Sequence, residues 1–350
     1  MNSKPKISVC ISVFNEDNYL QQCIDSLMNQ TMHNGIEYIF VNDASTDDSE
    51  EILLYNARKY SDRIRVIKHN EHLGLGEARN TALNVAQGEY VGFVDSDDFV
   101  SPWMFDFLYN NATLSGADVV FIQYVSIPQN EKYDISRIKL LASHVPIVTW
   151  SQNLLRWNNQ NLSDKAISDI LAYPIGGLYC GLWKKSFLKS TSVVFPAPRY
   201  EDNYYGSLVK CYLKRIVFVP RVCYFYRNNP ASITHKRNAP HQLDRIWIEK
   251  ELLAEVKKRD LFEKHYAAWE YIYTFRYAYN TSIKLLTTYD NPPITIIKKI
   301  WNDLEKEFPH WQNNEYYCEL VDNRERFKYF LLKTCPKLVR VLYPFFKGVY

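Results

Sequence analysis

Asp95 and Asp97 stand two residues apart at the end of the apolar run Glu89 to Val94. Side chains at that spacing on a strand point to the same side. Two carboxylates so placed offer hard oxygen ligands of the kind Mg²⁺ and Mn²⁺ prefer. A cation held there can bridge two phosphates and neutralise a departing diphosphate. Taken alone, an Asp-x-Asp string describes an acidic surface turn equally well.

Other polar groups gather at the ends of apolar runs. Phe14-Asn15-Glu16 follows the first run, and Asn42-Asp43-Ala44-Ser45-Thr46-Asp47 the second. The third leads into His72-Leu73-Gly74-Leu75-Gly76-Glu77-Ala78-Arg79-Asn80. Glycines ahead of a helix let a backbone approach a phosphate, and a helix N-terminus favours anions. Arg79 adds a permanent positive charge. The stretch is not a dinucleotide fingerprint, because the turn after the first strand contains no glycine.

The elements that must position these groups alternate over the first 125 residues. Strands are expected at Lys6 to Val13, Ile36 to Val41, Ile64 to Lys68, Glu89 to Val94 and Ala117 to Val125. Helices are expected after Asp17 or Asn18 as N-cap, at Thr46 to Tyr60, Gly76 to Ala86 and Pro102 to Ser115. Such alternation implies a doubly wound sheet that binds ligands at the carboxyl ends of its strands. Four polar strand ends on one rim carry more information than any single motif. Residues 126–180 read as irregular, Lys214 to Tyr226 as a strand, and the chain from about Gln242 as helical with aromatic stripes.

With these blocks in view, the chain resembles glycosyltransferase family 2, the inverting family with the GT-A fold. The matching stretches are Ile7 to Glu16, Val41 to Ser49, Gly74 to Asn80 and Gly88 to Asp98, in order, within about the first 125 residues. The resemblance implies an α/β nucleotide-diphospho-sugar transferase fold: a Rossmann-like mixed sheet flanked by helices, with a helical C-terminal module. It implies a catalytic domain over 1–240, made of a donor-binding half (1–125) and an acceptor-binding half (126–240), and a module over 241–350. It implies that Asp43 reads uracil, that Phe14, Asn15 and Glu16 hold uracil and ribose, and that Arg79 faces the diphosphate. Asp95 matches a ribose or sugar contact, Ser96 is counted with the donor contacts, and Asp97 matches the metal ligand. The family often carries two acids at positions 42 and 43; here Asn42 replaces the first.

An inverting transfer needs a base for the acceptor hydroxyl. The family's acidic pair matches Arg199-Tyr200-Glu201-Asp202-Asn203, with Asp202 favoured as base and Glu201 second. An acid pair that complements a helix dipole is the plainer reading. His235, in the loop after Tyr224-Phe-Tyr-Arg227, is either a third metal ligand or an exposed loop histidine. Arg227 and Ser232 could contact phosphate. Trp183 either stacks on an acceptor sugar or belongs to the core.

Composition narrows the class. A net charge of +3 gives no footprint for nucleic acid. Seven cysteines, an odd number without Cys-x-x-Cys, read as reduced core residues of a cytoplasmic protein. No apolar stretch reaches the ~20 residues of a membrane span. The 27 tyrosines suit an aromatic helical core first and a carbohydrate surface second. In the tail, Arg324, Arg326, Lys328, Lys333, Lys337, Arg340 and Lys347 alternate with aromatic and aliphatic residues. That pattern suits peripheral contact with an anionic membrane leaflet, or a helical core with a basic face.

The expected function is inverting transfer of a hexose or N-acetylhexosamine from a UDP-sugar to a glycan or lipid-linked glycan acceptor. Mn²⁺ or Mg²⁺ would assist, in polysaccharide or lipooligosaccharide synthesis. The rivals are a nucleotidyltransferase on a similar sheet and a non-catalytic partner that keeps the fold.

Overall fold

The structure, a computed structural model, describes residues 4–144, 150–197, 199–229 and 236–346, with side chains for all of these except 141–144 and 344–346. Four strands run parallel, all but β3 near-continuous apolar runs: β1 (Ile7–Val13), β2 (Ile36–Asn42), β3 (Ile64–Lys68) and β4 (Tyr90–Asp95). They lie side by side in the order β3-β2-β1-β4. Between them run α1 (Leu20–Met28), α2 (Ser49–Lys59) and α3 (Leu75–Val85). Such crossovers cover a parallel sheet and explain why Val9, Ile11, Val13, Phe40, Val91 and Phe93 are all buried.

The rest of the sheet departs from simple parallel alternation and bears out the mixed sheet that the family resemblance implies. Beyond β4 come β5 (Phe99–Val100), β6 (Val119–Ile127), β7 (Gly181–Lys184) and β8 (Ile216–Arg227). The eight strands run β3-β2-β1-β4-β7-β6-β8-β5. Strand β7 is antiparallel to both β4 and β6, while β8 is parallel to β6 and antiparallel to β5. The sheet is therefore mixed. Helix α4 (Met104–Ser115) ends at Gly116, whose φ of 65° is the left-handed conformation glycine adopts readily. Further helices are α5 (Ile135–His144), α6 (Gln152–Leu155), α7 (Asp164–Ala172), α8 (Lys185–Thr191) and α9 (Glu201–Lys210).

Helix α1 corrects one detail. Its N-cap is Tyr19, with no side-chain cap, rather than Asp17 or Asn18. The Asn18 amide donates to the Asp17 carboxylate instead, which draws both side chains away from the helix end.

The chain divides into two compact units, one of residues 1–166 and 173–229, the other of 167–172 and 230–350. The second unit holds α10 (Asp244–Lys258), α11 (Tyr266–Ile272), α12 (Thr281–Thr288), α13 (Ile294–Glu307), α14 (Glu315–Leu320), α15 (Asn323–Thr334) and α16 (Pro336–Phe346). Trp269, Tyr277, Trp301, Tyr316 and Tyr329 are buried within it, so much of the late tyrosine content is core. Among the described residues no helix is long and apolar enough to cross a membrane. Five cysteines are buried, but Cys318 and Cys335 are exposed, against the expectation that all seven are core.

Candidate active site

The parallel register brings the ends of β1, β2 and β4 level, since Ser12 pairs with both Val41 and Asp95. After β1 the chain turns through Asn15, whose φ of 55° is left-handed. The turn is fastened to the loop after β2. The Asn15 amide donates to Ser45 Oγ at 3.1 Å, and Asn15 Oδ1 accepts from the Thr46 amide at 2.8 Å. The Glu16 and Asp17 amides donate to Ser49 and Asp47.

Phe14 stays 37 % exposed and stacks on His72, ring centroids 3.8 Å apart. His72 in turn places Nδ1 2.8 Å from Asp43. Sequence reading gave His72 no role, and its position beside Gly74 was the only signal available. Asp43 itself is 2 % exposed and densely bonded. Its oxygens face His69 at 2.7 Å and accept from the Leu73 and Gly74 amides at 2.9 and 2.8 Å. Burial pushes the carboxyl up, but the bonds from His69 and the two amides outweigh it and hold the group below its ordinary range. Asp43 therefore anchors the loop entering α3.

That loop serves a purpose other than the phosphate cradle expected of its glycines. Gly74 has a φ of 94°, which a side chain rarely tolerates. A Cβ on Gly76 would lie 2.3 Å from the Pro196 carbonyl oxygen. The close approach that Gly76 permits is thus by the chain's own segment before α9. Asn80 clamps the same segment, donating to the Phe195 carbonyl and accepting from the Phe195 amide, each at 3.0 Å.

Arg79 completes the dock. It is 6 % exposed, donating to Glu201 Oε1 at 2.5 Å and to Asp95 Oδ1 at 3.0 Å. Desolvation works against its charge, yet Glu201 and Asp95 raise its pKa above the ordinary value. Glu201 is buried, and burial lifts its carboxyl to about 7 against the pull of Arg79. Asp202, the next residue, is exposed and accepts only from its neighbour's amide, at 2.9 Å, among the bonds resolved. Tyr200 ahead of them has a φ of 68°, an unusual conformation for a bulky residue, and it sets the entry to α9.

On the β4 side, Asp97 is pushed up to about 6 by burial and then by Asp95. Glu16 reaches about 8 through burial, then through Asp97, Asp47 and Asp95. Two neighbouring acids that resist ionising together define a place where a cation is favoured. Among the described residues no group of three or more His, Cys, Asp or Glu side chains is arranged to hold a metal by itself. The donors still suit a cation shared with phosphate, which one or two carboxylates commonly hold. His235 and Ser232 lie outside the described residues. Ser96 is buried between the two acids.

Asp98, given no role beforehand, is a latch. It accepts from the Tyr224 hydroxyl at 2.6 Å and from the Arg227 amide at 2.7 Å. Arg227 is buried, donating from Nε to the carbonyl of Asp97 and from Nη1 to those of Gln129 and Glu131, while its Nη2 has no hydrogen-bond partner among the described residues. Trp183 is 0 % exposed, edge-on to Phe121 in the middle of the sheet. It belongs to the core and cannot stack on a sugar.

Comparison with known proteins bears on this geometry. Residues 8–170 match the family model described as Glycosyl transferase family 2. EpsH of Bacillus subtilis (strain 168) is 28 % identical over 239 residues, 66 % of this chain and 63 % of that protein. The glycosyltransferase GlyA of Streptococcus pneumoniae serotype 4 is 32 % identical over 248 residues, 70 % of this chain. The chain spans under two thirds of both relatives, 63 % of EpsH and 32 % of GlyA. In structure, it resembles residues 1–349 of S. aureus TarS in complex with UDP-GlcNAc, with a TM-score of 0.64 and 18 % identity over 99 % of this chain and 93 % of that one. That likeness establishes the GT-A fold. Residues 8–170 thus match glycosyltransferase family 2, and the chain carries the GT-A fold.

Proposed function

We propose that the chain transfers a hexose or N-acetylhexosamine from a UDP-sugar to a glycan acceptor, inverting the anomeric centre. One observation carries the reading: α3 docks the acid-bearing start of α9 against the β4 end, through Arg79 between Asp95 and Glu201. A donor-side acid and a candidate base are thereby held on one frame. The UDP-GlcNAc in the TarS complex supports a UDP-sugar donor.

In this reading Phe14, Asn15, Glu16 and Asp43 shape the base and ribose pocket, and Asp95 and Ser96 meet the donor sugar. Asp43 and Arg79 act mainly by fixing the loops around the donor. Asp202 accepts the acceptor hydroxyl's proton as that oxygen attacks the anomeric carbon and the bond to UDP breaks. Mn²⁺ or Mg²⁺ would be held by Asp97. When bound, such a cation neutralises the departing diphosphate.

The direct test is UDP release from UDP-GlcNAc by the full chain, with and without Mn²⁺. Asp97→Ala should cut the Mn²⁺-stimulated rate about tenfold or more. Stimulation that survives the substitution sinks the metal assignment. A chain that neither binds UDP nor releases it sinks the reading as a whole.

The setting we propose is polysaccharide or lipooligosaccharide synthesis at the cytoplasmic membrane face. In the helical unit, Tyr329, Leu331, Leu332 and Val339 face the core, while Phe327, Phe330, Leu338 and Val341 stay exposed. Arg324, Lys337 and Arg340 are exposed on the same two helices. Vesicle flotation should show binding to phosphatidylglycerol but not to phosphatidylcholine. Phe327→Ser with Phe330→Ser should weaken it about tenfold or more, since two exposed rings that would enter the bilayer are removed. Equal flotation of both proteins would dismiss the membrane contact.

A further inference from the structure

Strands β6 and β8 run parallel through Tyr124↔Tyr224 and Ser126↔Tyr226. Alternation sends Val125 and Phe225 into a hydrophobic cluster with Phe99, Ile127 and Ile138. The tyrosines on either side of them do something else. Tyr224 is fully buried, but Tyr226 is half-buried and Tyr124 is 37 % exposed. Tyr179, half-buried, joins them from the turn before β7.

The rings touch one another. Tyr179 lies 4.5 Å from Tyr224 and 5.9 Å from Tyr226, centroid to centroid, and meets Tyr124 edge-on at 5.7 Å. Tyr124 meets Tyr226 at 6.3 Å. A Cβ on Gly177 would lie 2.4 Å from the Tyr179 ring, so glycine there lets the ring fold back over its own loop.

This cluster is continuous with the acidic rim. The Tyr224 hydroxyl donates to Asp98 at 2.6 Å and accepts from the Asp95 amide at 3.1 Å. Tyr226 feels the same rim: burial, then the charges of Asp98, Asp95 and Asp97, push its phenol up to about 12. It therefore remains a neutral hydrogen-bond donor throughout the ordinary pH range.

We propose that Tyr124, Tyr179 and Tyr226 form an aromatic wall on which an acceptor's pyranose ring stacks beside the Asp95–Asp97 rim. A pyranose has an apolar C–H face and a polar edge. A tyrosine offers the complement, an apolar ring face with a hydroxyl at its tip. A wall of phenylalanines would suit an alkyl chain, whereas a wall of tyrosines next to carboxylates suits a ring carrying hydroxyls. The proposal rests on the glycosyl-transfer reading and deepens it, because it assigns the acceptor side to a neutral sugar ring. It also supplies the stacking surface that buried Trp183 cannot.

The test is saturation-transfer NMR on the full chain with three probes: the methyl β-glycosides of glucose, galactose and N-acetylglucosamine. Spectra are taken with and without UDP and Mg²⁺. Saturation should reach the C–H protons of one ring face in at least one glycoside. Tyr124→Ala should weaken that glycoside's binding about three- to tenfold, and Tyr124→Phe should weaken it by less, keeping the ring face but losing the hydroxyl. Tyr124 is the choice because its exposure makes misfolding on truncation least costly. No transfer to any glycoside in the wild type, or equal binding by wild type and Tyr124→Ala, overturns the wall. UDP titration of the same samples separates the two readings. Lost glycoside binding with unchanged UDP binding places the defect on the acceptor side. A wild type that binds glycosides but not UDP sinks the donor reading and leaves the wall standing.

Discussion

Asp202→Asn is expected to lower kcat for sugar transfer by about 10²–10⁴-fold, the range for losing a positioned general base, with the KM for the UDP-sugar nearly unchanged. The choice between Asp202 and Glu201 follows from what each carboxylate already does. Glu201 is buried, and Arg79 donates to its Oε1. A base has to meet an incoming hydroxyl, and a group enclosed by its own ion pair cannot. Asp202 is exposed on the first turn of α9, one residue from that pair. Glu201 is on this argument a positioning residue: through Arg79 it fixes α9 relative to the end of β4. The two roles separate experimentally. Asp202→Asn should keep stability and UDP affinity while transfer collapses. Glu201→Gln should raise the KM, with a smaller fall in kcat. If Asp202→Asn transfers sugar at the wild-type rate, the acid pair is a helix-dipole device and the base lies elsewhere.

How much of this was legible beforehand depends on the range of the interactions. Strands β1, β2 and β4 are buried on both faces, so each is a near-continuous apolar run visible without partners, while β3 lies at the sheet edge with Arg65 and Lys68 exposed, and its bounds Ile64–Lys68 are still placed to the residue. Their polar ends converge because a parallel register puts them there. What stayed hidden depends on distant residues. Strand β7 has four residues, too few for a pattern, yet it joins the two halves of the sheet and buries Trp183. Gly76 reads as a phosphate glycine until Pro196 is seen against it. Asp98 has no visible partner locally because Tyr224 and Arg227 lie far along the chain. Arg79 is similar. The family resemblance implies that it faces the diphosphate, but its partners are Asp95 and Glu201.

Arg79→Met tests that last point, and its expected cost is about 3–5 kcal/mol of stability at neutral pH, the range for breaking a buried pair by removing one partner. Methionine fills much of the space left by the arginine stem, so the loss is mainly electrostatic: Glu201 remains buried without its cation. The pH dependence has a definite sign. Burial holds the folded Glu201 carboxyl at about 7, above the ordinary 4.5 of the unfolded chain. Folding therefore favours the protonated form, and stability falls as pH rises from the unfolded value through the folded one. Without Arg79 that upward pull is unopposed, so the window widens toward alkaline pH. Urea midpoints should show Arg79→Met most deficient above neutrality and nearest the wild type below about pH 4.5, where Glu201 is protonated in both states. Adding Glu201→Gln to Arg79→Met should recover a large part of the loss, since a neutral amide is far less costly to bury than an unpaired carboxylate. A deficit that is the same at every pH, or that the second substitution fails to reduce, would show that Arg79 acts through packing on Phe195, which its guanidinium overlies at 5.6 Å, rather than through its charge.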